Sequence, residues 1–269
     1  MYSSSSASKH HVSVPILPMQ LLFILSVLSV DQTSALNQTN AYLHHKCINS
    51  QGTYNPGSPY EVNLKNVIPV ISTAITNYGF VHIDSGEAPN TVFTKLQCRG
   101  DSDISTCRSC LTTASSEILK RCLKTKGKII WYDNCLLEIS PINTLFKLDY
   151  QNNFYLYNSK DASGDKELFN KNTRTLLNEL KEKAISKENN AGKVQFLYAT
   201  GERNFGTTKL YAMVQCTKDL SINNCNVCLN WIMGKLPNCC NGKQGGRVLS
   251  TSCNFRYELY PFVKPLVKT

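Results

Sequence analysis

The sequence predicts an α+β protein of two tandem domains, each an antiparallel β-sheet packed against two α-helices and stabilised by disulfides. Three features carry that expectation: a cysteine pattern that occurs twice, stretches in each copy with apolar residues at helical spacing, and strand-like runs between them. Cys98, Cys107, Cys110, Cys122 and Cys135 are each followed 118 residues later by Cys216, Cys225, Cys228, Cys240 and Cys253, so both copies read C-x8-C-x2-C with two further cysteines at fixed spacing. Upstream the register shifts. Tyr60-Glu61-Val62-Asn63 matches Phe169-Asn170-Lys171-Asn172 at an offset of 109, which assigns nine extra residues to copy two, in the loop from Ser186 to Gly206.

Each copy opens with an amphipathic helix, read from Val67, Ile68, Ile71, Ala74 and Ile75 in copy one and from Leu176, Leu177, Leu180 and Ala184 in copy two. Pro69 lies inside the first and must kink it or delay its start. A second helix runs from each C-x2-C, with Leu111, Ala114, Ile118 and Leu119 inward in copy one and Leu229, Ile232 and Leu236 in copy two. Strands are expected over Thr91 to Gln97, Lys128 to Ile139, Thr207 to Gln215 and Arg247 to Tyr260. Two helices over an antiparallel sheet, made twice, is the simplest arrangement that buries all these faces. The domains are placed at residues 36–144 and 151–262, with a linker at 145–150 inside or beside the polar Tyr150 to Asp165 segment and a tail at 263–269.

The use of the 12 cysteines depends on the compartment. The apolar run Val12 to Val30, interrupted by Pro15, Pro18 and Gln20 and followed by Thr33-Ser34-Ala35, reads as a secretory signal peptide over residues 1–35, whether Met1 or Met19 is the start. Two prolines and a glutamine leave too little apolar length for a membrane-spanning helix, and no later segment supplies an anchor. The mature protein is therefore expected to be soluble and extracellular, with Asn37-Gln38-Thr39 as a glycosylation sequon. In that compartment disulfides are favoured over a zinc site on the two C-x2-C pairs, which would leave three further cysteines at fixed spacing in each copy unexplained. A thioredoxin-like role for Cys107-Arg108-Ser109-Cys110 or Cys225-Asn226-Val227-Cys228 lacks the preceding parallel strand such a motif requires.

The C-x8-C-x2-C block, together with the stretch from Leu236 through Cys239-Cys240-Asn241-Gly242-Lys243-Gln244-Gly245-Gly246-Arg247 into Cys253-Asn254-Phe255-Arg256-Tyr257-Glu258-Leu259-Tyr260-Pro261-Phe262, resembles the plant cysteine-rich repeat proteins built from ginkbilobin-like, stress-antifungal domains. The resemblance runs from about Tyr42 to Phe262. Without a kinase or a transmembrane helix, the chain resembles the secreted branch of that family. The resemblance implies Cys47–Cys122, Cys98–Cys107 and Cys110–Cys135 in copy one, and Cys216–Cys225 and Cys228–Cys253 in copy two. Copy two departs from the family's three bridges, because the position matching Cys47 falls near residues 156–158 and holds no cysteine. Cys240 thereby loses its partner while Cys239 appears beside it, and a vicinal disulfide, two reduced thiols or an intermolecular bond all remain open.

Catalytic chemistry has little material to work with. The mature chain holds only His44, His45 and His82, read as solvated polar residues, and no G-x-S-x-G, H-E-x-x-H or phosphate loop occurs, so no catalytic residue, metal or cofactor is assigned. Binding has more support. Some ginkbilobin-like domains hold mannose through an Asn just after the first cysteine, an Arg six residues before the last and a Glu five after it, and the resemblance places these roles in copy two on Ser159, Arg247 and Glu258. Side chains of these types donate to and accept from neighbouring hydroxyls in fixed directions. Copy one has Ile48, Ile129 and Ser140 there. An odd separation of eleven would put Arg247 and Glu258 on opposite faces of one strand, so their convergence requires a turn or bulge. A salt bridge between them is the bland alternative, and Tyr257 and Tyr260 could line a sugar platform. The net charge of +10 suits acidic wall polysaccharide better than nucleic acid, with Lys120 to Lys128 as the candidate basic patch. Two functions follow: a defence module that binds mannose-type glycans, or an interaction partner of receptor ectodomains that binds no sugar.

Overall fold

The computed structural model describes residues 40–75, 79–192 and 195–264. The expected leader at residues 1–35, the Asn37 sequon and tail residues 265–269 lie outside them. The described residues hold two five-stranded antiparallel sheets. The first consists of β1 (Tyr42–Thr53), β2 (Phe80–Ser85), β3 (Val92–Cys98), β4 (Thr125–Tyr132) and β5 (Cys135–Ser140), in the order β1-β4-β5-β3-β2. The second consists of β6 (Asn153–Tyr157), β7 (Tyr198–Phe205), β8 (Thr208–Cys216), β9 (Gly246–Ser250) and β10 (Cys253–Glu258), in the order β6-β9-β10-β8-β7. The orders are identical, and so is the register: Cys98 faces Cys135 as Cys216 faces Cys253.

Helices α1 (Pro59–Ile71) and α2 (Ile104–Arg121) cover one face of the first sheet, and α3 (Lys166–Ile185) and α4 (Ile222–Met233) cover the second. Ser58 caps α1 by accepting from the Glu61 N–H, Pro59 opens it at a position where a missing N–H costs nothing, and Pro69 sits inside it. Asp103, Asp165 and Ser221 cap the other three in the same way. Tyr60, Leu64, Val67 and Ile71 meet Leu111, Ala114 and Ile118 beneath the first sheet; Phe169, Leu177, Leu229 and Ile232 do so beneath the second. Each fully buried Leu, Ile, Val or Phe among them stabilises by about 1.5–3 kcal/mol.

The structure departs from the sequence reading at several elements. The helix expected through Leu236 breaks at Gly234, and a short α5 (Leu236–Cys240) follows, with Pro237 in its first turn. The loop expected from Ser186 to Gly206 ends in edge strand β7, and the polar segment from Tyr150 contains edge strand β6. Strands β1 and β2 were not expected either. The runs Lys128 to Ile139 and Arg247 to Tyr260 are hairpins, β4–β5 and β9–β10.

Six disulfides are present. Cys47–Cys122, Cys98–Cys107, Cys110–Cys135, Cys216–Cys225 and Cys228–Cys253 are the pairs that the resemblance implies, and Cys239 joins Cys240. The sheet faces turned away from the helices meet each other. Ile129, Trp131 and Leu136 of copy one are buried with Leu249 of copy two, flanked by Leu43, Ile48 and Phe154. Polar bonds close the seam: Trp131 Nε1 donates to the Ser250 carbonyl (3.2 Å), Gln215 Nε2 to the Cys98 carbonyl (2.8 Å), and the Lys218 N–H to Gln97 Oε1 (3.0 Å). His44, read as a solvated residue, is exposed at the margin of this seam, its ring centroid 4.6 Å from that of Phe154.

Candidate functional site

The β9–β10 hairpin supplies the turn that Arg247 and Glu258 need. Arg247 faces Arg256 across the hairpin, and Glu258 follows two residues later, so all three project from the same face. Cys47 on β1 faces Lys128, and Tyr157 on β6 faces Gly246, which is the residue 118 positions after Lys128. Tyr157 therefore takes the place of Cys47, and the residue just after it is Asn158. A depression of about 210 Å³ is lined by Leu156, Tyr157, Asn158, Gly245, Gly246, Arg247, Glu258 and Tyr260. The sequence alignment had put the Asn role on Ser159, which is not part of this lining. With no cysteine to anchor the register there, it slipped by one.

Backbone pairing fixes Asn158, whose N–H donates to the Gly245 carbonyl at 2.9 Å. Its Oδ1 accepts from the Lys160 N–H at 2.9 Å, which orients the amide and leaves Nδ2 without a partner among the described residues. A Cβ at Gly245 would overlap Glu258 Oε2 and push that carboxylate from its present place. The two tyrosines differ. Tyr257 is core, its hydroxyl bonded to the carbonyls of Cys240 (3.0 Å) and Lys243 (3.1 Å), so it offers no platform; Tyr260 and Tyr157 are half exposed at the walls.

Arg247 and Glu258 belong to a larger charged cluster. Asp133, in the turn of the β4–β5 hairpin, accepts from Arg247 Nη1 (2.7 Å), Arg256 Nη1 (3.0 Å) and Arg99 Nη1 (3.0 Å). Glu258 Oε1 accepts from Arg256 Nε at 2.9 Å and lies 3.9 Å from Arg247 Nη2, while Arg99 Nε donates to Asp101 at 2.6 Å. Three guanidinium groups thus meet three carboxylates across the seam between the copies. Burial alone would raise the Asp133 carboxyl, but Arg256, Arg247 and Arg99 outweigh it and hold it below the usual carboxylate range. Burial, with Arg256 beside it, lowers Arg247. Asp133 and Arg256 carried no cysteine-like spacing signal and were missed by sequence reasoning.

In copy one the corresponding place is occupied by a side chain. Of copy one's equivalents, Ile48 and Ile129 pack in the apolar seam, while the Ser140 hydroxyl donates to Gln51 Oε1 at 3.1 Å, and Gln51 stands over Gly127, the counterpart of Gly245. The proposed basic patch also needs correction: Lys128 is fully buried, its Nζ donating to the Cys122 carbonyl at 3.1 Å, and Lys120 and Arg121 pair with Glu117. His45, Cys47 and Cys122 place metal-ligand atoms within 4.8 Å of one another, but both sulfurs are spent in a disulfide.

The family model described as salt stress response/antifungal matches residues 46–141 and 157–260. Among curated proteins, putative cysteine-rich repeat secretory protein 22 of Arabidopsis thaliana is 67% identical, over 97% of this chain and 99% of that one, and putative cysteine-rich repeat secretory protein 21 of the same plant is 69% identical, over 96% and 98%. Among solved structures, the tandem DUF26 ectodomain of the Arabidopsis thaliana cysteine-rich receptor-like protein PDLP8 superposes with a TM-score of 0.70 at 23% identity, covering 82% of this chain and 99% of that one. That likeness establishes the fold alone.

Proposed function

The chain belongs to the salt stress response/antifungal family, with two copies of its domain in tandem, and we propose that it is a secreted, non-enzymatic plant defence or stress protein with antifungal activity. Its relatives are named secretory proteins, and among the described residues no helix is long and apolar enough to cross a membrane. Its working part is the depression of copy two, which takes a mannose-type sugar. One observation carries this reading: a free amide donor (Asn158), a carboxylate (Glu258) and a guanidinium (Arg247) converge on one small depression between two tyrosine rings. Two vicinal hydroxyls of a pyranose can bond such a set while the ring's apolar face covers a tyrosine.

Titration of the purified protein with methyl α-mannoside and with mannan tests the reading. Asn158→Ala, which removes a side chain bonded only locally, is expected to weaken binding at least about tenfold with an unchanged melting temperature. Absence of mannose binding, or equal binding by Asn158→Ala and Glu258→Gln, sinks it. The net charge of +10 adds a non-specific attraction to acidic wall polysaccharide that salt removes.

A second reading is favoured by the engagement of Arg247 with Asp133, which a sugar must share: the chain then acts as an extracellular partner of receptor ectodomains and binds no glycan. The same titration separates the two.

A further inference from the structure

The two copies differ at a second place, on the helical side of the fold and away from the glycan depression. In copy two, Asn170 near the start of α3 is tied to the end of α5: its Nδ2 donates to Asn241 Oδ1 at 2.7 Å and its Oδ1 accepts from the Gly242 N–H at 2.9 Å. At the repeat offsets the counterparts in copy one are Glu61, Leu123 and Lys124. The backbone is alike, with Lys124 at φ 57° where Gly242 has φ 68°. The lacing is not. Glu61 turns to its own helix, accepting from the Gly57 N–H at 2.8 Å and pairing with Lys65 at 3.1 Å, while Leu123 is left 74% exposed.

What opens in copy one is a groove of about 310 Å³ between α1 and the end of α2, lined by Tyr54, Glu61, Leu64, Lys65, Ile68, Pro69 and Leu119. That volume is at the lower end of sites for small organic molecules. Its floor is hydrocarbon: Leu64 is buried, and Ile68 and Leu119 are half-buried at the margin of the core. Two polar groups interrupt it. Pro69 has no N–H to give, so the Lys65 carbonyl lacks its helical donor. The Tyr54 hydroxyl has no hydrogen-bond partner among the described residues, although its ring is held by Tyr60 (5.5 Å between centroids) and by Lys128 Nζ (5.4 Å above it). Burial, with Glu61 nearby, pushes the Tyr54 phenol up, which keeps it protonated and available as a donor.

We propose that this groove of copy one is a binding site for a small aromatic or alicyclic molecule carrying one hydroxyl, with the ring system on Leu64, Ile68, Pro69 and Leu119 and the hydroxyl bonded between Tyr54 Oη and the Lys65 carbonyl. A hydroxyl both accepts and donates, as this pair of groups requires. Neutral polar sugars do not fit an apolar floor, and an anion would meet Glu61. The site is independent of the glycan reading and survives its failure.

Isothermal titration of the disulfide-intact protein with 2-naphthol, and with 2-methoxynaphthalene as the probe that cannot donate, tests the proposal. Binding of one 2-naphthol per chain with a Kd of about 0.1 mM is expected, with the ether weaker by at least about fivefold. Tyr54→Phe removes the donor to the ligand oxygen and should weaken both probes, since the ether oxygen still accepts, and Ile68→Gln should weaken both as well. Asn170→Ala, in the laced copy, should weaken neither. Melting of each variant without probe verifies its fold. Absence of saturable binding up to about 1 mM, equal affinity for the two probes, or binding indifferent to both groove substitutions overturns the proposal.

Discussion

Asp133 and Lys128 show how differently two buried charges can be accommodated. Asp133 is surrounded by three guanidinium groups and is ionised because of them; Lys128 has one carbonyl and the ring of Tyr54, and burial lowers its pKa to about 8. Because that folded value lies below the unfolded one, the unfolded chain binds more protons between about pH 8 and pH 10.4. Stability should therefore climb through that window, and the full penalty should apply below it. Lys128→Met is expected to remove the climb and to raise stability at pH 7 by about 1 kcal/mol, the released desolvation cost being partly offset by the orphaned Cys122 carbonyl; urea denaturation at pH 7 and pH 10 measures both. From the sequence, Lys128 looked like one of a row of surface lysines. Strand register, which turns alternate residues inward, is what buries it, and register was the quantity the cysteines did not constrain. The same gap left the residue after the Cys47 counterpart at Ser159 in the sequence reading, where strand pairing makes it Asn158; Arg247 and Glu258, counted from Cys253, line one depression with Asn158.

Among elements, those that cysteines or strong apolar periodicity mark were legible and the edges were not. Strands β1, β2, β6 and β7 are all edge strands, and their mixed composition, as in His44-His45-Lys46 of β1, gives no clean alternation. The break after α4 was also unread, because Leu236 continues the apolar spacing past Gly234 while Pro237 restarts the helix as α5. Disulfides divide by what they enclose. Cys228–Cys253 ties α4 to β10 over a separation of 25 residues, and its loss in Cys228→Ala/Cys253→Ala should cost about 3 kcal/mol. Cys239–Cys240 closes no loop, so Cys239→Ala/Cys240→Ala should cost about 1 kcal/mol or less. Guanidinium denaturation of the two double variants side by side checks the contrast, and comparable losses would mean that the adjacent pair has a role beyond chain restraint.

For the molecule as a unit, the seam decides whether the copies are separable. Ile129, Trp131 and Leu136 would form an exposed apolar patch on an isolated first copy, and the arginines of the second would lose Asp133. Residues 40–264 should consequently unfold in one cooperative transition, with near-ultraviolet and far-ultraviolet dichroism coincident. Trp131→Ala, which also removes the bond to the Ser250 carbonyl, should lower stability by about 3–5 kcal/mol. Two separated transitions in the unmodified chain would show that the seam contributes little.

The glutamine that occupies copy one's counterpart of the depression has a consequence for how the protein would meet a glycan-coated surface. On the proposed sugar reading, Gln51 standing over Gly127 fills copy one's counterpart of the depression, and one chain would be monovalent toward mannan. A monovalent binder gains no avidity from repeated sugars and cannot bridge two particles. It would coat a mannan-bearing cell without agglutinating it, and its hold would last only as long as one sugar stays in one depression.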